Sequence, residues 1–378
     1  MNSCTINSDF SKDAYRLYWR VLYRTLAAAI LVLFATAIYL DPISGDLTRL
    51  GGYPENLFGW TIPQSRFSPH LYDTGIYNQY HDIVVFGDSF SAKHSEEQTD
   101  VGTYWQNFLA HRTGMSVIVF NSRKTIIGDV IENPIYKSRP PRIFIFQHVE
   151  RDLIYAAQDF AMEQQNGSEC KAQPLKIQEP LDLHPLAVEP EEFDRSAVYL
   201  PLASNFPVLE LDQAANVLKR RIVDDILGLR RSDTIRLTLK HQNLFSSAAS
   251  DQFLFYRNEL RKNNWRDLEI HKTKCRLVTL QNRLQADGRT LALTMVAPDR
   301  LTAYSHHIDD PTYANLSKLE SFDTSGLQMV RVDKPLIRAI DGGLKDVYLP
   351  NDTHWGVQGH RIVADEVFKS LQTYKAIR

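Results

Sequence analysis

The 378 residues carry 43 Lys and Arg against 45 Asp and Glu, a formal net charge of -2, and 43% of them are hydrophobic. That balance excludes a disordered chain and leaves no basic domain for nucleic acid, while the length allows one large domain or two small ones. The three cysteines, Cys4, Cys170 and Cys275, fit neither a zinc spacing nor a Cys-x-x-Cys redox pair, and if the body of the chain is exported, Cys170 and Cys275 are the two that can pair.

Residues 1–24 are polar and place Lys12, Arg16, Arg20 and Arg24 on one helical face ahead of a charge-free run from Thr25 to Leu40. That run reads as a transmembrane signal anchor over 25–40. It is a little shorter than the ~20 residues a span needs, with Arg24 snorkelling and Tyr23 and Tyr39 at the interfaces. A buried core helix and a cleavable signal peptide with Ala35-Thr36-Ala37 at its cleavage site are the alternatives. Under the positive-inside rule the basic stretch 1–24 is cytoplasmic. The expectation is then a single pass through the inner membrane with the catalytic domain in the periplasm.

Residues 41–80, which include Gly45-Asp46, Gly51-Gly52, Gly59-Trp60 and Pro63, read as a linker and N-terminal loop region, an ordered loop or short strands. A domain over 81–378 follows. Asp82–Phe86, Ser116–Phe120, Arg142–Gln147, Thr290–Val296 and Leu327–Val332 are apolar, β-prone runs, and helical spacing appears at Thr103–Leu109, Trp265–Gln285 and Gly356–Leu371. Strands alternating with helices predict a five-stranded parallel sheet covered on both faces. Residues 155–285 break the rhythm as a large insertion between the third and fourth strands. Its Leu211–Leu229 stretch predicts an amphipathic helix with Lys219, Arg220, Arg221, Arg230 and Arg231 around it, either a solvated face or a contact for an anionic glycan, lipid surface or partner.

The chemistry gathers at strand ends. Val84-Val85-Phe86-Gly87-Asp88-Ser89 is a buried strand closing in a tight turn that presents a serine at the sheet's C-terminal edge, where open α/β sheets keep their sites. A serine there needs a base held by a carboxylate. Asp352-Thr353-His354-Trp355 supplies both, since residues two apart in an extended segment face the same side. Read alone, Asp352 caps the last helix and His354 is an ordinary histidine; read with Ser89, the three are a nucleophile, a base and its orienter. The third strand delivers Gln147, His148, Glu150 and Arg151 to the same edge. The backbone N–H of Ser89 is the first oxyanion donor, and the side chains of Asn121, Gln147 and Arg151 are further oxyanion or substrate-contacting candidates. Arg151 is equally readable as a structural ion pair with Glu150 or Asp152. Nothing in these motifs calls for a metal or a cofactor.

These residues resemble the SGNH-type esterases and, within them, the bacterial polysaccharide O-acetyltransferases of the alginate O-acetyltransferase (AlgX/AlgJ) type, over about 45–150 and 290–372. Gly87-Asp88-Ser89-Phe90-Ser91 is similar to the nucleophile block, Glu150-Arg151-Asp152-Leu153 to the Glu-Arg block, and Asp352-Thr353-His354-Trp355 to the Asp-x-His-Trp signature. Two features depart from the family. The Asp-x-His-Trp stretch follows the serine block here, whereas it precedes it in the alginate proteins, and Gln147-His148-Val149-Glu150-Arg151 replaces the Gly-x-Asn-Asp block. The resemblance implies a three-layer α/β/α sandwich and an acetyl donor supplied by a membrane-bound O-acyltransferase. It also implies transfer to hydroxyls of an exopolysaccharide or cell-wall glycan through an acetyl-serine. A carbohydrate acetylesterase with the same triad is the alternative, and a non-catalytic scaffold or glycan-binding subunit of a secretion complex is the alternative of a different class.

Overall fold

Runs of Val, Ile, Leu and Phe with no polar alternation bury both faces of a strand, as a parallel sheet requires. The computed structural model describes residues 8–40, 45–53, 55–93, 100–158, 170–172, 180–193, 219, 222–227, 232–241, 243–314, 316–322 and 326–378. Its strands are β1 (Gln64–Arg66), β2 (Asp73–Thr74), β3 (Ile83–Gly87), β4 (Val117–Asn121), β5 (Ile143–Val149), β6 (Glu191–Phe193), β7 (Thr234–Thr238), β8 (Gln252–Tyr256), β9 (Leu291–Ala297) and β10 (Met329–Val330). Six form one sheet in the order β10-β9-β5-β3-β4-β2, with every neighbouring pair parallel. Five of these lie in the expected runs. The sixth, Asp73–Thr74, pairs with β4 from a segment whose composition reads as loop.

Side-chain alternation divides the core. Val85, Val119, Ile145, Leu293 and Met295 face the helices Trp105–Thr113, Asp333–Asp341 and Val357–Thr373. Val84, Phe86, Ile118, Phe120, Phe144 and Phe146 face Ile127–Glu132 and Asp267–Leu284. The result is three layers, α/β/α. Register levels the strand ends, because Gly87 pairs with Asn121 on one side and Gln147 on the other. Residues just past those positions therefore meet at one edge.

Two short antiparallel ribbons, β1 with β6 and β7 with β8, sit outside the sheet. In the second, Phe253 and Phe255 enter the main core, while Leu254 packs with Leu47, Tyr53 and Phe58 of the N-terminal segment. Of the expected basic helix over Leu211–Leu229, only Lys219 and 222–227 fall among the described residues, and Ile222–Ile226 is a π-helical turn.

The expected membrane anchor over 25–40 falls in the first described helix. Ser8–Leu40 is a single helix of 33 residues, yet no described helix is long and apolar enough to cross a membrane. Asp9, Lys12, Asp13, Arg16, Arg20 and Arg24 occupy the first half of Ser8–Leu40, and the charge-free remainder from Thr25 spans 16 residues, about 24 Å against the ~30 Å hydrocarbon core. Side chains from Asp13 to Leu33 are exposed.

Candidate active site

The serine turn is built by packing and then fastened by hydrogen bonds. Every residue of β3 is buried. Gly87 is required by close approach, since a Cβ there would lie 2.6 Å from Gln147 Oε1 and 2.9 Å from Ser91 Cβ. Asp88 turns its carboxylate inward and accepts from Phe90 N at 3.0 Å, Gln147 Nε2 at 3.0 Å and Val149 N at 2.6 Å. Its carbonyl accepts from Ser91 N and Ala92 N. Ser91 Oγ donates to Gln147 Oε1 at 2.7 Å and accepts from Trp105 Nε1 at 3.1 Å. Ser89 is thereby fixed at the edge, and its carbonyl accepts from Tyr104 OH at 3.3 Å.

The Asp352-Thr353-His354 stretch arrives from the other end of the chain as a turn, not the extended segment expected. Leu349 N donates to His354 O at 3.1 Å, and Asp352 Oδ1 accepts from His354 N at 2.9 Å. The same Oδ1 lies 2.5 Å from His354 Nδ1, and His354 Nε2 lies 2.8 Å from Ser89 Oγ. Phe90 packs against both the His354 ring, 4.9 Å between centroids, and Trp355, at 4.7 Å. All three polar side chains are buried. Burial opposes an ionised Asp352, but the His354 charge and hydrogen bonds outweigh it and hold that carboxyl below its ordinary range. Burial also opposes a charged His354, and Asp352 overrides it, so the imidazole titrates above its ordinary value. A base paired in this way can take a proton from Ser89 Oγ and return one to a leaving oxygen.

Of the three side-chain donor candidates, the structure separates Asn121 from the others. Asn121 Oδ1 accepts from Arg123 N at 2.9 Å, and its Nδ2 is buried with no partner among the described residues. Gln147 is committed to Asp88 and Ser91. Arg151 takes the ion-pair reading, with Nη1 2.8 Å from Asp299 Oδ1 and Nε 4.0 Å from Asp152. Glu150 is equally structural: it accepts from Lys262 Nζ at 3.0 Å, Thr302 Oγ1 at 2.5 Å, Ser317 Oγ at 2.9 Å and Lys318 N at 3.0 Å.

Two residues were missed in the sequence. Asp46 accepts from Thr353 N at 2.8 Å and Thr353 Oγ1 at 2.5 Å, and its own N–H reaches Asp352 Oδ2 at 3.4 Å. Its carboxyl is pushed up to about 6 by burial and by the neighbouring Asp352. Gly45-Asp46 reads as a turn and carries no sequence signal of this contact. Buried Arg300 donates from Nη1 to the carbonyls of Leu349 at 2.5 Å and Asp352 at 2.6 Å. Here a signal did exist, since Arg300 directly follows the fourth expected strand end.

A model of the family described as the SGNH hydrolase-like domain of acetyltransferase AlgX matches residues 247–377, a stretch that holds Asp352 and His354 while Ser89 lies ahead of it. No curated protein and no solved structure matches the chain. Over residues 247–377, then, this chain is similar to the SGNH hydrolase-like domain of the AlgX acetyltransferases.

Proposed function

We propose that the protein is an O-acetyltransferase that carries an acetyl group on Ser89 and delivers it to a hydroxyl of an exopolysaccharide or cell-wall glycan. The observation that carries this reading is the continuous line Asp352 Oδ1, His354 Nδ1, His354 Nε2, Ser89 Oγ at 2.5 and 2.8 Å. In the first half-reaction His354 Nε2 takes the Ser89 proton as Oγ attacks the acetyl carbonyl, and then returns it to the leaving oxygen of the donor. In the second, the acceptor hydroxyl passes its proton to His354 and attacks acetyl-Ser89, which restores the free serine. Asp352 stays ionised throughout and stabilises the imidazolium. The oxyanion of each tetrahedral intermediate is held by Ser89 N–H and by Asn121 Nδ2, the one candidate side-chain donor left without a partner.

The donor in this reading is an acetyl group presented by a membrane-bound O-acyltransferase, and the working compartment is outside the cytoplasm. Support for the compartment comes from the Cys170–Cys275 disulfide, a bond rare in reducing compartments. An esterase would use the same residues with water as acceptor. The two separate by product: p-nitrophenyl acetate as donor plus the producing cell's polysaccharide should yield acetylated glycan by mass spectrometry. Ser89→Ala or His354→Ala should lower turnover of the small ester by on the order of 10⁴-fold or more, and Asn121→Ala by roughly 10²–10³-fold. Unchanged turnover in both triad variants would remove covalent catalysis, and acetate release with no glycan product would leave the esterase.

A further inference from the structure

Beside the serine turn lies a cavity of about 830 Å³ at the C-terminal ends of β3, β4 and β5, with Phe86, Asp88, Ser122, Arg123, His148 and Tyr155 among its lining. Asp88 and Phe86 immediately precede Ser89, so the cavity opens along the same sheet edge as the nucleophile. Its size decides what it is for. An acetyl group has three heavy atoms and fills on the order of 100 Å³, about three waters' worth, whereas cavities of ~300–1,000 Å³ hold whole ring-sized ligands.

The walls are those of a sugar site. Tyr155 is 53% exposed and Ile126, also in the lining, is 70% exposed, which places an aromatic ring and an aliphatic side chain at the rim, open in large part among the described residues. Such surfaces suit the C–H face of a pyranose, as they combine apolar contact with little ordering cost. One polar atom of the lining at the β4 corner, Ser122 Oγ, is buried and has no partner among the described residues. Buried polar atoms are nearly always satisfied, and an orphaned hydroxyl at a cavity wall points to a ligand that satisfies it.

Charge then selects the ligand class. Arg123 is exposed and makes no ion pair among the described residues. Asp152 also lines the cavity, with its side chain 31% exposed, at 4.0 Å from Arg151 Nε, whose Nη1 is taken by Asp299. The Asp88 carboxylate already accepts three hydrogen bonds. The lining thus offers both a cation, Arg123, and an anion, Asp152, a combination that matches hydroxyl groups, which donate to Asp152 and accept from Arg123. A carboxylated or phosphorylated sugar would set its charge against Asp152 and Asp88.

We propose that this cavity is the acceptor subsite and that it takes a neutral pyranose unit of the glycan, stacked on Tyr155 and Ile126. The proposal rests on the acetyltransferase reading above, so its test is made independent of acyl transfer. Binding is measured calorimetrically on the full chain carrying Ser89→Ala, with four neutral tetrasaccharides (of glucose, galactose, mannose and N-acetylglucosamine) and a hexuronate tetrasaccharide of equal length. At least one neutral probe should bind more tightly than the hexuronate. Adding Tyr155→Ala, and separately Ile126→Ala, should weaken it tenfold or more, with the thermal midpoint unchanged. In the enzyme with Ser89 intact, either variant should raise KM for that oligosaccharide while kcat holds. If no neutral probe binds, if the hexuronate binds more tightly, or if both truncations leave affinity unchanged, the proposal falls. The triad reading would still stand or fall on Ser89→Ala turnover of p-nitrophenyl acetate.

Discussion

Asp46 shows how a single charge sets the working range of the base. Its carboxylate lies 3.9 Å from His354 Nδ1 and shares the burial of Asp352, with which it competes for negative charge. Below about pH 6 Asp46 holds its proton and adds nothing to the field at the ring. Above that pH it ionises, and a second anion beside the imidazole favours the protonated, catalytically idle form. Asp352 and Asp46 together therefore hold the His354 titration above its ordinary value of 6.5, and the rate should rise with pH only as the ring loses its proton. Asp46→Asn keeps an oxygen for Thr353 N while removing the charge. It should move the acid limb of kcat/KM for p-nitrophenyl acetate to lower pH with the plateau little changed. An unmoved limb would mean that Asp46 acts through Thr353 alone. The sequence offers no hint of this role, because the contact joins residues more than 300 positions apart across a turn that composition marks only as a loop.

The 3-10 stretch Arg257–Asn264 shows the same logic at the scale of an element. It pushes Glu259 and Lys262 into the core beneath the ends of β5 and β9, where Lys262 Nζ meets Glu150 at 3.0 Å and Asp299 at 2.8 Å with all three side chains fully buried. Leu301 N donates to Glu259 Oε2 at 2.7 Å, and burial together with Asp299 pushes the Glu259 carboxyl up to about 7. Such a cluster ties the end of β5 to the chain that follows β9, and so to the Arg300 contacts with Leu349 and Asp352. Lys262→Met leaves Glu150 and Asp299 facing each other without the cation, and should cost roughly 3–5 kcal/mol, read as a lower urea midpoint. A shift within error would show that the cation is dispensable. The strands and the Ser89 and Asp352/His354 motifs were legible because each is local: an apolar run buried on both faces, then a turn. Glu150 and Arg151 were legible as a motif but not in function, because their partners Lys262 and Asp299 lie more than 100 residues on and the sequence does not reveal which charges meet. That Asp73–Thr74 joins the main sheet was not legible for a related reason, since its two exposed polar residues gain their place only from β4.

At the scale of the whole molecule, the Cys170–Cys275 disulfide joins parts that the sheet leaves apart. Cys275 stands on the helix Asp267–Leu284, whose Leu277, Val278, Leu280 and Leu284 cover the sheet face opposite the helices that support the triad. Cys170 belongs to a short described piece that also meets this helix through Asn282 Nδ2 and Lys171 O at 3.0 Å. The bond closes a separation of 105 residues that contains β6, β7, β8 and the Lys262 cluster. A crosslink over so long a loop restricts the unfolded chain far more than the folded one, which in the chain-entropy view stabilises by about 5 kcal/mol. Cys170→Ser with Cys275→Ser should therefore lower the unfolding free energy by up to that amount, read as a lower denaturation midpoint, and dithiothreitol should produce the same drop in the natural chain while leaving the double variant unaffected. Because the crosslinked helix lies across the sheet from Trp105–Thr113 and Val357–Thr373, p-nitrophenyl acetate turnover per folded molecule should not change. Peptide mapping without reductant supplies the deciding measurement on protein made in an oxidising compartment. Recovery of both cysteines as free thiols there would remove the crosslink and, with it, the support it lends to a site of action outside the cytoplasm.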